Sequence, residues 1–115
     1  MKLPNYDKAI VSQIKITGIL LSMARPEKRD RAKFFFDLGF SAESWEVLAQ
    51  ALRRHAANHP VAKVEDSSFG LQYVIDGIIL TPSGKTPLIR SIWSVPTGES
   101  IPRFITAYPI EEVDS

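Results

Sequence analysis

Gly70-Leu71-Gln72-Tyr73-Val74-Ile75-Asp76-Gly77-Ile78-Ile79-Leu80 reads as one long strand. Two later runs, Pro87-Leu88-Ile89-Arg90-Ser91-Ile92-Trp93-Ser94-Val95 and Arg103-Phe104-Ile105-Thr106-Ala107-Tyr108, are apolar and β-rich in the same way. In the first, Leu71, Tyr73, Ile75 and Ile79 fall on one side, and Val74, Ile78 and Leu80 on the other. That period of two is what a sheet needs to bury one face. Thr81-Pro82-Ser83-Gly84-Lys85 and Pro96-Thr97-Gly98-Glu99-Ser100 separate the runs, with Pro and Gly where turns favour them. Val61 to Glu65 adds a short edge strand, and connections this short require antiparallel neighbours. The expectation is a four-stranded antiparallel meander. Pairing Val95 with Pro102 would set Ser91 opposite Thr106 and Trp93 opposite Phe104 on one face. Arg90, Ser94 and Arg103 would then share the other face with Ile92 and Ile105.

Upstream the period changes to that of a helix. A first, short helix can start at Ser12 as N-cap and run to about Leu21, although Gly18 and the β-branched residues weaken it. A second spans about Glu27 to Leu38, with Ala32, Phe35, Phe36 and Gly39 on one face and Gly39 ending it in a left-handed conformation. Ser41 caps a third, about Glu43 to Asn58, whose apolar stripe is Trp45, Leu48, Ala49, Leu52 and Ala56. Helices followed by a meander make an α+β fold, with two to three N-terminal helices packed on the sheet. Residues 1–115 form a single domain: 1–60 mainly helical, 61–109 antiparallel sheet, 110–115 an acidic tail.

An apolar fraction of 44% and a charged fraction of 23% are those of an ordinary globular protein. A net charge of +1 supplies no overall field for nucleic acid, so any such binding needs a local patch. The absence of Cys removes disulfides, thiolate metal sites and a Cys nucleophile, and agrees with a reducing compartment. Gly18-Ile19-Leu20-Leu21, the longest apolar run near the start, is far below the roughly 18 residues of a membrane span. A cytoplasmic location without membrane contact is expected. There is no Gly-rich phosphate loop, dinucleotide fingerprint or Ser-nucleophile motif, and no cofactor is expected.

Chemistry-bearing residues are few. His55 and His59 stand at i, i+4, a spacing that can hold a metal, but no Glu follows His55 as in zincins and the helix dipole favours cations there anyway. No metal is expected, and His55 is retained as a candidate general acid or base because His titrates in the useful range. Arg25, Lys28, Arg29, Arg31 and Lys33 read as a solvated helix face with ion pairs such as Lys33 with Asp37, or as a phosphate-binding edge. Lys33 lies beside the apolar stripe, so its stem could follow the core while its ammonium points to a groove. Arg90 and Arg103 interrupt strands, where a long cation is unusual unless it is paired or reaches a ligand such as a phosphodiester. Ser91 and Thr106 could supply hydroxyls there, and Tyr73 and Tyr108 could stack bases.

Several short motifs carry a resemblance that runs from about Lys15 to Pro109. They are Arg31-Ala32-Lys33-Phe34-Phe35, Leu38-Gly39-Phe40, Trp45-Glu46-Val47-Leu48 to Leu52 and His55, and Gly70-x-x-Tyr73. Thr81-Pro82-x-Gly84, Arg90-Ser91-x-Trp93 and Pro102-Arg103-x-x-Thr106-Ala107-Tyr108-Pro109 complete the set. They resemble a family of small uncharacterised bacterial domains found alone or at the C-termini of polymorphic toxins. The element order also looks like the barnase/EndoU/colicin/RelE-like group of metal-independent ribonucleases. By fold-level analogy, the resemblance implies that Lys33 or His55 deprotonates the RNA 2′-hydroxyl or assists its attack. It implies that Arg90 and Arg103 hold the phosphate, that Thr106 and Tyr108 position the substrate, and that Ser91 is a lesser contact. The expected function is thus a toxin-type ribonuclease neutralised by a small antitoxin or immunity protein. The alternative is a non-catalytic RNA- or protein-binding module of such a pair.

Overall fold

The computed structural model describes residues 1–111, so residues 112–115 of the expected acidic tail lie outside the described residues. Helix α1 (Gln13–Lys15) runs into a π-helical turn, Ile16–Leu20, closed by Leu21 N–H donating to the Ile16 carbonyl at 2.8 Å. The wide turn buries both Ile16 and Leu20. Ser12 occupies the N-cap position but makes no side-chain capping bond.

A 3₁₀ turn, Pro26–Lys28, leads into α2 (Arg29–Asp37). Its end follows from Gly39, at φ 94°. Gly39 N–H donates to the Phe36 carbonyl at 2.9 Å and Phe40 N–H to the Phe35 carbonyl at 3.3 Å, the paired bonds of a Schellman cap. The Phe35 and Phe40 rings pack 6.4 Å apart across it. Ala32 and Phe35 are buried as expected, but Phe36 is exposed. Leu38 takes its place in the core, because the turn after Asp37 swings it inward.

Helix α3 (Trp45–Asn58) buries Leu48, Ala49, Leu52, His55 and Ala56. It starts at Trp45 rather than Glu43, and Ser41 Oγ instead accepts from Ser44 N–H at 3.2 Å in the preceding turn. Trp45, expected in the stripe, is only half-buried at the helix start.

The sheet is the expected antiparallel meander, in the order β1-β2-β3-β4. Its strands are β1 (Val61–Ser67), β2 (Gly70–Ile78), β3 (Leu88–Pro96) and β4 (Arg103–Pro109). The face under the helices carries Tyr73, Ile75, Ile89, Trp93, Phe104 and Ala107, all buried. Each large side chain removed from water there contributes about 1.5–3 kcal/mol. Trp93 and Phe104 are directly paired and meet edge-to-face at 5.4 Å. Between Ile92 and Trp93 the register shifts by a bulge. Beyond it, Ser91 faces Ala107 and Thr106 faces Ile92, which corrects the expected Ser91–Thr106 pairing. An extra residue in β4 moves Thr106 off the helix-covered face. No helix among the described residues is long and apolar enough to cross a membrane.

Candidate functional site

On the face of the sheet turned away from α3, three residues form a row across three strands. Asp76 of β2 is paired with Arg90 of β3, and Arg90 with Tyr108 of β4. Directly opposed residues stand about 5 Å apart, so the row is continuous. The Arg90 guanidinium is forked onto Asp76, with Nε donating to Oδ1 at 2.7 Å and Nη2 to Oδ2 at 2.9 Å. That pair, with Tyr108 beside it, pushes the Arg90 pKa further up and keeps the group charged. Thr106 lies two residues before Tyr108, about 7 Å along the same strand.

A second guanidinium joins from α2. Arg31 Nη1 donates to Thr106 Oγ1 at 3.0 Å, while its Nε and Nη2 are buried and have no hydrogen-bond partner among the described residues. Burial lowers its pKa, and among the described residues no carboxylate is in contact to offset that. An unmade bond to a buried N–H costs about 1–3 kcal/mol, so the position is unfavourable for folding alone. In the sequence alone Arg31 reads as part of a solvated face or of a phosphate-binding edge, together with its charged neighbours. The signal was its spacing: 31, 35 and 38 share one side of the helix, and Phe35 and Leu38 are core. Asp76 carries no signal of its own within its apolar run, yet it fixes Arg90.

The structure brings Arg90, Thr106 and Tyr108 together and leaves the other expected residues apart. Arg103 is at the far end of β4, exposed and paired with Glu99 at 2.9 Å. Arg90 and Arg103 therefore do not converge. Lys33 is exposed on α2, two residues from Arg31 and so about 200° round the helix from it. Its expected ion pair with Asp37 is not among those formed by the described residues. Tyr73 and Ser91, expected as substrate contacts, are enclosed in the core on the helix-covered face.

His55 is on that inner face too. Its Nε2 meets the Gly77 carbonyl at 3.0 Å and its Nδ1 meets Ser91 Oγ at 2.9 Å. A carbonyl only accepts, so Nε2 carries the proton and Nδ1 accepts from the Ser91 hydroxyl. Ser91 Oγ in turn accepts from Trp93 Nε1 at 2.9 Å. Every polar group of this buried chain is satisfied, and it ties α3 to β2 and β3. His59 makes its own bond to the Ile78 carbonyl at 2.9 Å, its ring lying where Gly77 leaves no side chain. Among the described residues no three His, Cys, Asp or Glu side chains gather as metal ligands.

Burial pushes the His55 pKa down to about 4, against the upward pull of the Gly77 bond. The unfolded chain, at the ordinary 6.5, then binds more protons between those values. Stability is expected to be full above the unfolded pKa and to fall as pH drops through the folded one, by roughly 3 kcal/mol at the limit. Urea unfolding at neutral pH and near about pH 4.5, in wild type and His55→Gln, checks this. The wild type should lose more on acidification, and equal losses would discard a neutral buried His55.

No curated protein matches the chain in sequence. A family model described as a domain of unknown function, DUF6883, matches residues 2–111. Among solved structures, the fold is similar to a chain of a contact-dependent growth inhibition toxin–immunity protein complex from Klebsiella pneumoniae 342. The TM-score is 0.72 at 20% identity, over 93% of this chain and 97% of that one. At that identity the likeness is one of fold.

Proposed function

The chain belongs to the DUF6883 family, and from that premise we propose that it is a cytoplasmic toxin-type domain that cleaves RNA at the Asp76–Arg90–Tyr108 row. The observation that carries the reading is a pair of guanidinium groups at this row, Arg90 within it and Arg31 beside it, joined to Thr106 through Nη1 at 3.0 Å. A phosphodiester is the anion that guanidinium groups bind best, through paired N–H donors. The solved complex of the same fold is named for a toxin and its immunity protein, which supports a role in such a pair. A small immunity or antitoxin protein covering the row would silence it.

The reaction is metal-independent transesterification. The 2′-oxygen attacks phosphorus, the bond from phosphorus to the 5′-oxygen breaks, and a 2′,3′-cyclic phosphate and a free 5′-hydroxyl form. Arg31 and Arg90 hold the phosphate and stabilise the charge developing on it. Asp76, the acceptor of the row, takes the 2′ proton, and the Tyr108 hydroxyl gives one to the leaving 5′-oxygen. Solvent then returns both residues to their starting states. Thr106 orients Arg31 and a phosphate oxygen. His55 takes no part, being sealed on the opposite face.

Purified protein incubated with total RNA in excess chelator tests this directly. Fragments ending in 2′,3′-cyclic phosphate are expected. RNA left intact by folded protein would overturn the enzymatic reading. The bidentate Asp76–Arg90 pair then favours the non-catalytic module, with that row as its binding face.

A further inference from the structure

Strand β1 is one outer strand of the sheet, and β4 is the other. The start of the β4 edge is covered by the N-terminal segment. Ile10 N–H donates to the Pro102 carbonyl at 2.9 Å, and Phe104 N–H to the Ile10 carbonyl at 2.8 Å. Among the described residues the β1 edge is covered only at its first residue, where Val61 N–H donates to the Met1 carbonyl at 2.6 Å. Ser67 and Gly70 flank a two-residue turn and are directly paired. Counting back from that pair, Ser67, Glu65 and Lys63 turn their backbone groups to β2, and Asp66 and Val64 turn theirs outward. An outer strand with open N–H and C=O groups is a template for another strand. Its side chains alternate too. Val64 lies on the helix-covered side with Tyr73, yet is 43% exposed. Lys63 and Glu65 lie on the other side, exposed, with Nζ 2.9 Å from Oε1.

We propose that β1 pairs antiparallel with β1 of a second copy of this chain, in the register centred on Val64. Charge decides both the partner and the register. With Val64 opposite Val64 of the second copy, Lys63 stands opposite Glu65 of that copy, and Glu65 opposite its Lys63. Two opposite-charge pairs then flank a contact between valines. Moving the centre to residue 65 would oppose two glutamates, and moving it to residue 63 would oppose two lysines. Like charges directly opposed are unfavourable, so a single register is selected. In it the outward N–H and C=O of Val64 exchange hydrogen bonds with those of its copy. Charges on an outer strand commonly repel neighbours, but Lys63-Val64-Glu65 is its own complement when reversed. The two-fold axis is normal to the sheet, so the two meanders join as one continuous sheet. Both Asp76–Arg90–Tyr108 rows then lie on the same face. The contact is short, bounded by the bulge between Val61 and Lys63 and by the turn after Ser67. The dimer is therefore a weak one that forms as concentration rises.

Sedimentation velocity over a series from about 5 to about 500 μM tests the pairing. The wild type should pass from monomer to dimer. Lys63→Glu and Glu65→Lys should each weaken dimerisation at least about tenfold, because the two-fold axis repeats every change. Lys63→Glu combined with Glu65→Lys restores complementarity and should bring the dimer back. Both side chains are exposed, so circular dichroism and melting temperature should not change in any of the three variants. A wild type that is monomeric throughout overturns the pairing and makes the β1 charges a device against association. A dimer that the single substitutions leave intact, or that the double exchange fails to restore, overturns this register and puts the contact elsewhere.

Discussion

Gly70→Ala is expected to destabilise the protein by roughly 2–5 kcal/mol. Gly70 opens β2 at φ 137°, a conformation that L residues rarely adopt. It is also pressed against the end of β3. A Cβ built there meets the Val95 carbonyl oxygen, and lies 2.8 Å from both Pro96 Cα and Thr97 N. All three are backbone atoms, so no side chain can swing aside. Thr97 N–H is meanwhile committed to the Phe69 carbonyl at 2.9 Å, which ties the two hairpin ends together. Gly84→Ala separates the two causes, since Gly84 has φ 86° but nothing within 4 Å of its Cβ position. Strain alone should cost it about 1 kcal/mol. Urea denaturation of both variants checks the pair. A Gly70→Ala loss no larger than that of Gly84→Ala would show that β3 yields, contrary to the packing described.

The meander was legible because its signals are local: a period of two, and Pro and Gly at the turns between Ile79 and Pro87 and between Pro96 and Pro102. The bulge opposite Ile92 was not. Nothing in Phe104-Ile105-Thr106-Ala107 announces an extra residue, and one is enough to move Thr106 from the Ser91 row to the outer face. His55 shows a different failure. At i+3 from Leu52 and i+7 from Leu48 it lies on the apolar stripe, but a polar residue there gains meaning only once Ser91 and Gly77 stand opposite. Arg31 was obscured by its neighbours. In a run of alternating charges the solvated reading is the default, and the spacing that sets Arg31, not Lys33, with Phe35 and Leu38 gains its meaning only once Thr106 stands opposite. Arg90, Thr106 and Tyr108 could be found because each interrupts an apolar run without a structural need.

Arg31→Met should move stability and activity in opposite directions. A guanidinium whose Nε and Nη2 are buried without a partner among the described residues is a cost that an unbranched apolar side chain of similar length removes. Replacing such buried charge with packed apolar groups is commonly neutral or stabilising, here by about 1–2 kcal/mol. The one bond lost, Nη1 to Thr106 Oγ1 at 3.0 Å, leaves a half-exposed hydroxyl that water can satisfy. RNA cleavage, by contrast, should drop roughly 10²–10³-fold, the usual loss when one donor to a developing oxyanion is removed. A residue kept for packing would show the reverse, with stability falling and cleavage following only through the unfolded fraction. Melting temperature and the rate of cyclic-phosphate formation, measured on the same preparation, separate the two. If Arg31→Met is destabilised and cleaves at the wild-type rate per folded molecule, the guanidinium is structural, and the outer face loses its strongest claim to a phosphate.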